Sequence, residues 1–151
     1  MQDSRRAARR QAVFLLYQRD VTGLSLGELE DNLITTRGSE PDAYTREMVA
    51  GVVGDQQAID EAIDGAASGW SVERIAPLER NILRVAAHEI RDRDDIPTAV
   101  AIDEAVGLAR AGAVADRDQG HRVLLAQQSE RAQRTLDVLA RRVREEIGRA
   151  H

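Results

Sequence analysis

The sequence contains no cysteine, which excludes disulfides, thiolate metal sites and cysteine nucleophiles together. It contains no lysine either, so every basic side chain is an arginine or a histidine; that bias is read as genome composition rather than chemistry. Aromatic residues number only four (Phe14, Tyr17, Tyr44 and Trp70), and the prolines are three (Pro41, Pro77 and Pro97). No stretch alternates apolar and polar residues over six positions, so the mark of a half-buried strand is missing. No run reaches the roughly 18 to 20 apolar residues of a membrane span, and no secretory apolar region follows the start. The expectation is a cytoplasmic chain without metal or cofactor. What is present is an ordinary globular balance: 151 residues, 42% apolar and 31% charged, enough to bury a substantial core.

Enzyme signatures are also missing. Gly51 and Gly54 are too sparse for a phosphate-binding loop, and neither GxGxxG nor GxxxxGK[ST] occurs. Asp92, Asp94 and Asp95 lack the oxygen spacing, central glycine and closing glutamate of a calcium loop, so a solvated turn is expected there. His88 has no motif around it that would supply a nucleophile or a paired carboxylate, and it reads as a partly buried, hydrogen-bonded histidine.

Helical periodicity recurs along the whole chain. A first helix is expected from a cap at Asp3 or Ser4 to about Asp20, ended by Thr22-Gly23. Leu26 to Leu33 form a second, Thr35 to Asp42 a loop, and helices follow over about 43–53 and 56–63. Gly65 to Gly69 mark the boundary between two halves. Beyond it Trp70 and a short turn with Arg74 and Ile75 lead to Pro77, which suits the first turn of a helix. Leu78, Ile82, Val85, Ala86 and Ile90 then make an amphipathic stripe. Thr98 can cap the next helix, with Ile102, Ala105, Val106 and Ala109 inward. The pattern weakens past Ala111 until a last helix carries Leu136, Leu139, Val143 and Ile147 on one face. The reading is an all-α helical bundle: one domain over 1–151, made of two packed sub-bundles at about 1–65 and 70–151. Tyr44 and Trp70 are both expected in the core.

Charge is distributed unevenly. Residues 1–20 hold five arginines against Asp3 and Asp20, residues 21–64 hold ten acids against Arg37 and Arg46, and the remainder cancels. A basic element on an acidic body can bind a polyanion locally. Arg5, Arg6, Arg9 and Arg10 fall on one flank of the first helix, with Val13 and Tyr17 continuing it. Ala8, Ala12, Leu15 and Leu16 form the neighbouring apolar face. Guanidinium forks pair with phosphates and stack on unpaired bases, as a tyrosine can. Four arginines at a helix N-terminus oppose the helix dipole, and with no nearby acid to offset them they point to an anionic partner.

Three segments taken in order carry a resemblance: "SRRAARRQAVFLLYQRDVTG", "YTREMVAGVVGDQQAIDEAI" and "WSVERIAPLERNILRVAAHEIRDRDDIPTAVAIDEAVGLA". Over about residues 4–111 the chain resembles the bacterial transcription antitermination factor family NusB. The resemblance implies an all-α, non-catalytic protein that binds the boxA element of ribosomal RNA transcripts. It would do so together with NusE, a ribosomal protein, inside a complex with NusA, NusG and RNA polymerase. It also implies that Arg5, Arg6, Arg9 and Arg10 contact RNA, that Tyr17 lies at the RNA and NusE surface, and that Glu79 faces NusE. After Ala111 the family continues with an acidic-serine turn and "FVNGVL", where this chain reads "RDQGHRVLLAQQ". Asp118 can take the acid of that turn and joins the RNA set by this likeness. Gln119 replaces the serine, and Arg122 and Leu124 replace the Phe and Asn. Genuine divergence and a disrupted reading frame both remain open for that stretch. Two other readings stand beside the first: a helical interaction module with weakened RNA binding, and a detached relative of the helical domain fused to ribosomal RNA cytosine methyltransferases.

Overall fold

A computed structural model describes residues 2–67, 69–115 and 121–150. Seven α-helices are present among them, and no strand. In chain order they are α1 (Gln2–Thr22), α2 (Leu26–Arg37), α3 (Ala43–Gly54), α4 (Gln56–Ala66), α5 (Pro77–Asp92), α6 (Thr98–Ala115) and α7 (His121–Ala150), with one 3₁₀ turn at Val72–Arg74 between α4 and α5.

Local chemistry sets most of the boundaries. Gly23 turns the chain at φ 72° after α1, and the Ser25 side chain then caps α2 by accepting from the Glu28 N–H at 3.2 Å. The α2 helix runs four residues beyond the expected Leu33. The Thr35 and Thr36 hydroxyls donate to the carbonyls of Asp31 and Asn32, so both threonines are accommodated in helical backbone. Gly38, at φ 74°, is the stop. Asp42 caps α3 through the Tyr44 N–H at 2.8 Å, and Pro77 opens α5 as expected. At the start of α1 the helix is already formed at Gln2, so Asp3 and Ser4 lie in its first turn rather than at a cap.

Helix α5 lies at the centre, against α1, α3, α4, α6 and α7. Every residue from Asn81 to Ile90 is buried. The expected apolar stripe is therefore only one side of an enveloped helix, and Asn81, Arg84, His88 and Glu89 are carried inside with it. One hydrophobic cluster collects Ala12 and Leu16 of α1, Met48 and Val52 of α3, Ile59 and Ile63 of α4, Ala101 and Ala105 of α6, and Leu136 and Leu139 of α7. The inward residues expected on α6 (Ile102, Ala105, Val106 and Ala109) are buried. Tyr44 is buried too. Trp70 is not: at 46% exposed it stands outside the core, a correction to the sequence reading.

Gly51 of α3 explains how closely α3 and α5 approach. Its missing Cβ leaves room for the His88 ring, and an added methyl would land on Cε1 and Nε2 of that ring. His88 is buried, with Nδ1 3.2 Å from an Asp92 oxygen but out of line for a hydrogen bond. Gly51→Ala gains up to about 1 kcal/mol of helix propensity but overpacks a full core site, at about 1–3 kcal/mol. Urea unfolding is expected to show the variant less stable than the wild type. In a His88→Ala background the same substitution should become neutral or stabilising; an equal loss in both backgrounds would exclude the ring contact as the cause.

Candidate nucleic-acid interface

The rotation of α1, about 100° per residue, sorts its side chains. Ala8, Arg9, Ala12, Val13, Leu15 and Leu16 occupy the buried arc. Arg5, Arg6 and Arg10 are exposed and Tyr17 is half-buried. The four arginines expected on one flank are thus split. Arg9 is three, four and seven residues from Ala12, Val13 and Leu16, and that spacing turns its guanidinium into the bundle. It is buried, contrary to the expectation that it stands on one exposed flank with Arg5, Arg6 and Arg10 as an RNA contact.

Inside, Arg9 meets a carboxylate. Its Nε donates to Glu89 Oε1 at 2.9 Å, and its Nη2 donates to Oε2 at 2.8 Å. The Tyr44 hydroxyl donates to the same Oε2 at 2.9 Å. This arrangement joins α1, α5 and α3, and the Thr45 hydroxyl adds a bond to the Ala8 carbonyl at 3.0 Å. Burial and the neighbouring Glu89 charge push the Tyr44 phenol up to about 12. The Tyr44 ring is in turn surrounded by the guanidiniums of Arg5, Arg9 and Arg93, at 5.2, 5.7 and 5.2 Å from its centroid. Arg93 is pinned by Glu47 at 2.6 Å and Asp95 at 3.0 Å. Its guanidinium holds the Asp95 carboxyl below the usual range. The acidic turn at 92–95 is therefore an arginine-paired turn; among the described residues no group of carboxylates and histidines is arranged to hold a metal.

The remaining arginines of α1 diverge. Arg6 Nε donates to Glu104 of α6 at 2.9 Å, and Arg5 lies 3.7 Å from Asp95. Acids distant in sequence thus stand beside the helix start, contrary to the expectation that none is near. Arg10, about 40° further round the helix from Arg6, lines the groove between α1 and α2 instead. Tyr17 lies on the same exposed side of α1 as Arg10 and Arg6, by its spacing of seven and eleven residues from them.

Glu79 also departs from its expected place. Its side chain is 5% exposed and lies beneath Arg131 of α7, whose Nη2 donates to it at 3.0 Å. The Arg131 guanidinium rests on the Trp70 ring, 4.2 Å from its centroid. Burial raises the Glu79 carboxyl and Arg131 opposes that rise. A carboxylate covered in this way is not available as an open contact with a partner. A third polar junction is formed by Arg84, which donates to Asp60 of α4 at 2.8 and 2.9 Å and to Asp20 of α1 at 2.9 Å. Asp118 lies outside the described residues. The roles of Glu89, Tyr44 and Arg93 were missed in the sequence; the one available signal was Arg9 falling among apolar positions of its own helix.

The architecture defines a class: an all-α bundle wrapped around one buried helix, with an arginine-bearing outer helix. The NusB family model matches residues 6–121, and the chain belongs to the NusB family, which is non-enzymatic. The chain is 42% identical over 107 residues to the transcription antitermination protein NusB of Rubrobacter xylanophilus, covering 71% of this chain and 76% of that protein. The corresponding protein of Beutenbergia cavernae is 41% identical over 116 residues, covering 70% and 76%. Among solved structures, NusB in a crystal of antitermination factors NusB and NusE with dsRNA superposes with a TM-score of 0.74. It covers 93% of this chain and 98% of that one at 22% identity. NusB of T. maritima superposes with a TM-score of 0.72 at 24% identity, covering 91% and 90%. At these identities the superpositions establish the fold.

Two measurements check the buried junction. Glu89→Gln leaves the Arg9 charge buried and is expected to cost about 3–5 kcal/mol in urea unfolding. Glu104→Gln, at the exposed Arg6 pair, should cost under about 1 kcal/mol; similar losses for both would contradict the burial. The Tyr44 phenol, raised in the folded state, contributes stability that is complete below about pH 10 and lost as pH climbs toward about 12. Phenolate absorbance should show one tyrosine ionising late, and Tyr44→Phe should remove that step.

Proposed function

We propose that this chain is a transcription antitermination factor that binds boxA-type single-stranded RNA of ribosomal RNA transcripts together with NusE, without catalysis. Family membership supports the reading, as do the relatives named transcription antitermination proteins. The observation that carries it furthest is the outer face of α1, where Arg5, Arg6 and Arg10 are exposed on a helix whose Arg9 is anchored inside. Phosphates would displace Asp95 and Glu104 from Arg5 and Arg6, and Tyr17 would offer a ring edge or face to an unstacked base. NusA, NusG and RNA polymerase would join through the larger complex. Among the described residues no helix is long and apolar enough to cross a membrane.

The phosphate-contact role makes the arginines separable. Arg6→Ala and Arg10→Ala should each weaken binding to a labelled boxA-type RNA and lower its salt slope by about one, with the fold intact. Arg9→Ala should act mainly by lowering the melting temperature. Fluorescence anisotropy at two salt concentrations, with and without NusE and against a scrambled strand, measures this. An unchanged salt slope in both surface variants, or no preference for boxA-type RNA over the scrambled strand, would overturn the proposal.

A further inference from the structure

The outer face of α1 does not end at its arginines. Successive steps of four residues along an α-helix advance by about 40°. The row Arg6, Arg10, Phe14, Gln18 therefore winds round α1, from the side facing α6 to the side facing α2. Arg6 pairs with Glu104 of α6, whereas Arg10, Phe14 and Gln18 all line a groove of about 750 Å³ between α1 and α2. Phe14 is 53% exposed there. Across the groove stand Asn32 and Arg37 of α2.

The charges of this groove are unbalanced. Arg10 and Arg37 have no ion-pair or hydrogen-bond partner among the described residues. The single carboxylate in the lining, Asp42, already caps α3 through the Tyr44 N–H. Two unpaired guanidiniums thus line the same groove as an exposed aromatic ring and the side-chain amides of Gln18 and Asn32. The combination suits single-stranded nucleic acid: cations for phosphates, a ring for stacking a base, and amides for base edges. An acidic amphipathic protein helix could use the cations, the ring and the amides alike; what favours a strand is that Arg10 makes the groove continuous with the arginine face of α1 proposed above to bind RNA.

We propose that the α1–α2 groove is a second RNA subsite, in which a strand bound at Arg5 and Arg6 continues past Arg10 and stacks a base on Phe14, with Arg37 across the groove on a neighbouring phosphate. The inference rests on α1 being the RNA-binding helix and extends its footprint onto α2.

Three labelled strands test it: a boxA-type core, and the same core lengthened at its 5′ end or at its 3′ end. One extension is expected to tighten binding to the wild type. Phe14→Ala should abolish most of that gain, about tenfold, and leave the core strand unaffected. Arg37→Gln should lower the salt slope for the extended strand by about one. Both positions are exposed, and unchanged melting temperatures would show that the variants fold. Two results would overturn the subsite: neither extension adding affinity, or the gain surviving both substitutions. Variants that keep the gain but lose affinity for NusE would assign the groove to protein instead. A wild type that binds none of the strands would fail the antitermination reading itself, which is a distinguishable result.

Discussion

Glu89 sits in the last turn of the most enclosed helix and accepts hydrogen bonds from both a buried guanidinium and a buried phenol. A carboxylate withdrawn from water in this way is tolerable only while its partners stay in place, because an uncompensated buried charge costs several kcal/mol. Arg9 comes from α1 and Tyr44 from α3, so satisfying Glu89 sets the register of both helices against α5. The site follows from that constraint. With Arg9 drawn inward, the guanidiniums of Arg5, Arg6 and Arg10 are held at fixed positions on the outside of the same helix. Arg5 and Arg93 then close over the Tyr44 ring.

The same principle repeats along α5. Glu79 under Arg131, Arg84 between Asp20 and Asp60, and Glu89 with Arg9 are three polar junctions on one buried helix. They tie α5 to α7, to α1 and α4, and to α1 and α3. Apolar contacts supply most of the driving force in such a core, but they tolerate sliding and repacking. Directional ion pairs do not, so this arrangement supports a single packing of helices around α5. Gly51 contributes by the opposite means, an absent side chain that lets the His88 ring reach the α3 backbone.

For nucleic-acid binding the electrostatics are those of a local patch on an acidic protein. The chain carries a net −5, and Arg5 and Arg6 each have a carboxylate beside them. In the proposed RNA complex, phosphate contacts there would replace ion pairs already made, so their gain would be smaller than that of an unpaired arginine. Arg10 and Arg37 carry no such offset. General attraction to polyanions is thereby limited, and under the proposed function affinity would depend on a strand placed correctly against α1.

Much of this was legible in the sequence. The all-α class, the order of the helices, Pro77 at the head of α5, the inward residues of α6 and the family itself were all readable, because each depends on local periodicity, turn chemistry or an ordered run of motifs. The end of α2 was misplaced because Thr35 and Thr36 resemble loop residues until their hydroxyls bond back to the preceding turn. Trp70 looked like core because large aromatics usually are, and its stacking on Arg131 depends on a helix sixty residues further on. Tertiary structure alone decided which charges are available. Arg9 and Arg10 are adjacent and chemically identical, yet one is locked to Glu89 and the other is open to solvent. A rotation of about 100° separates them, and what each then meets is set by helices remote in sequence.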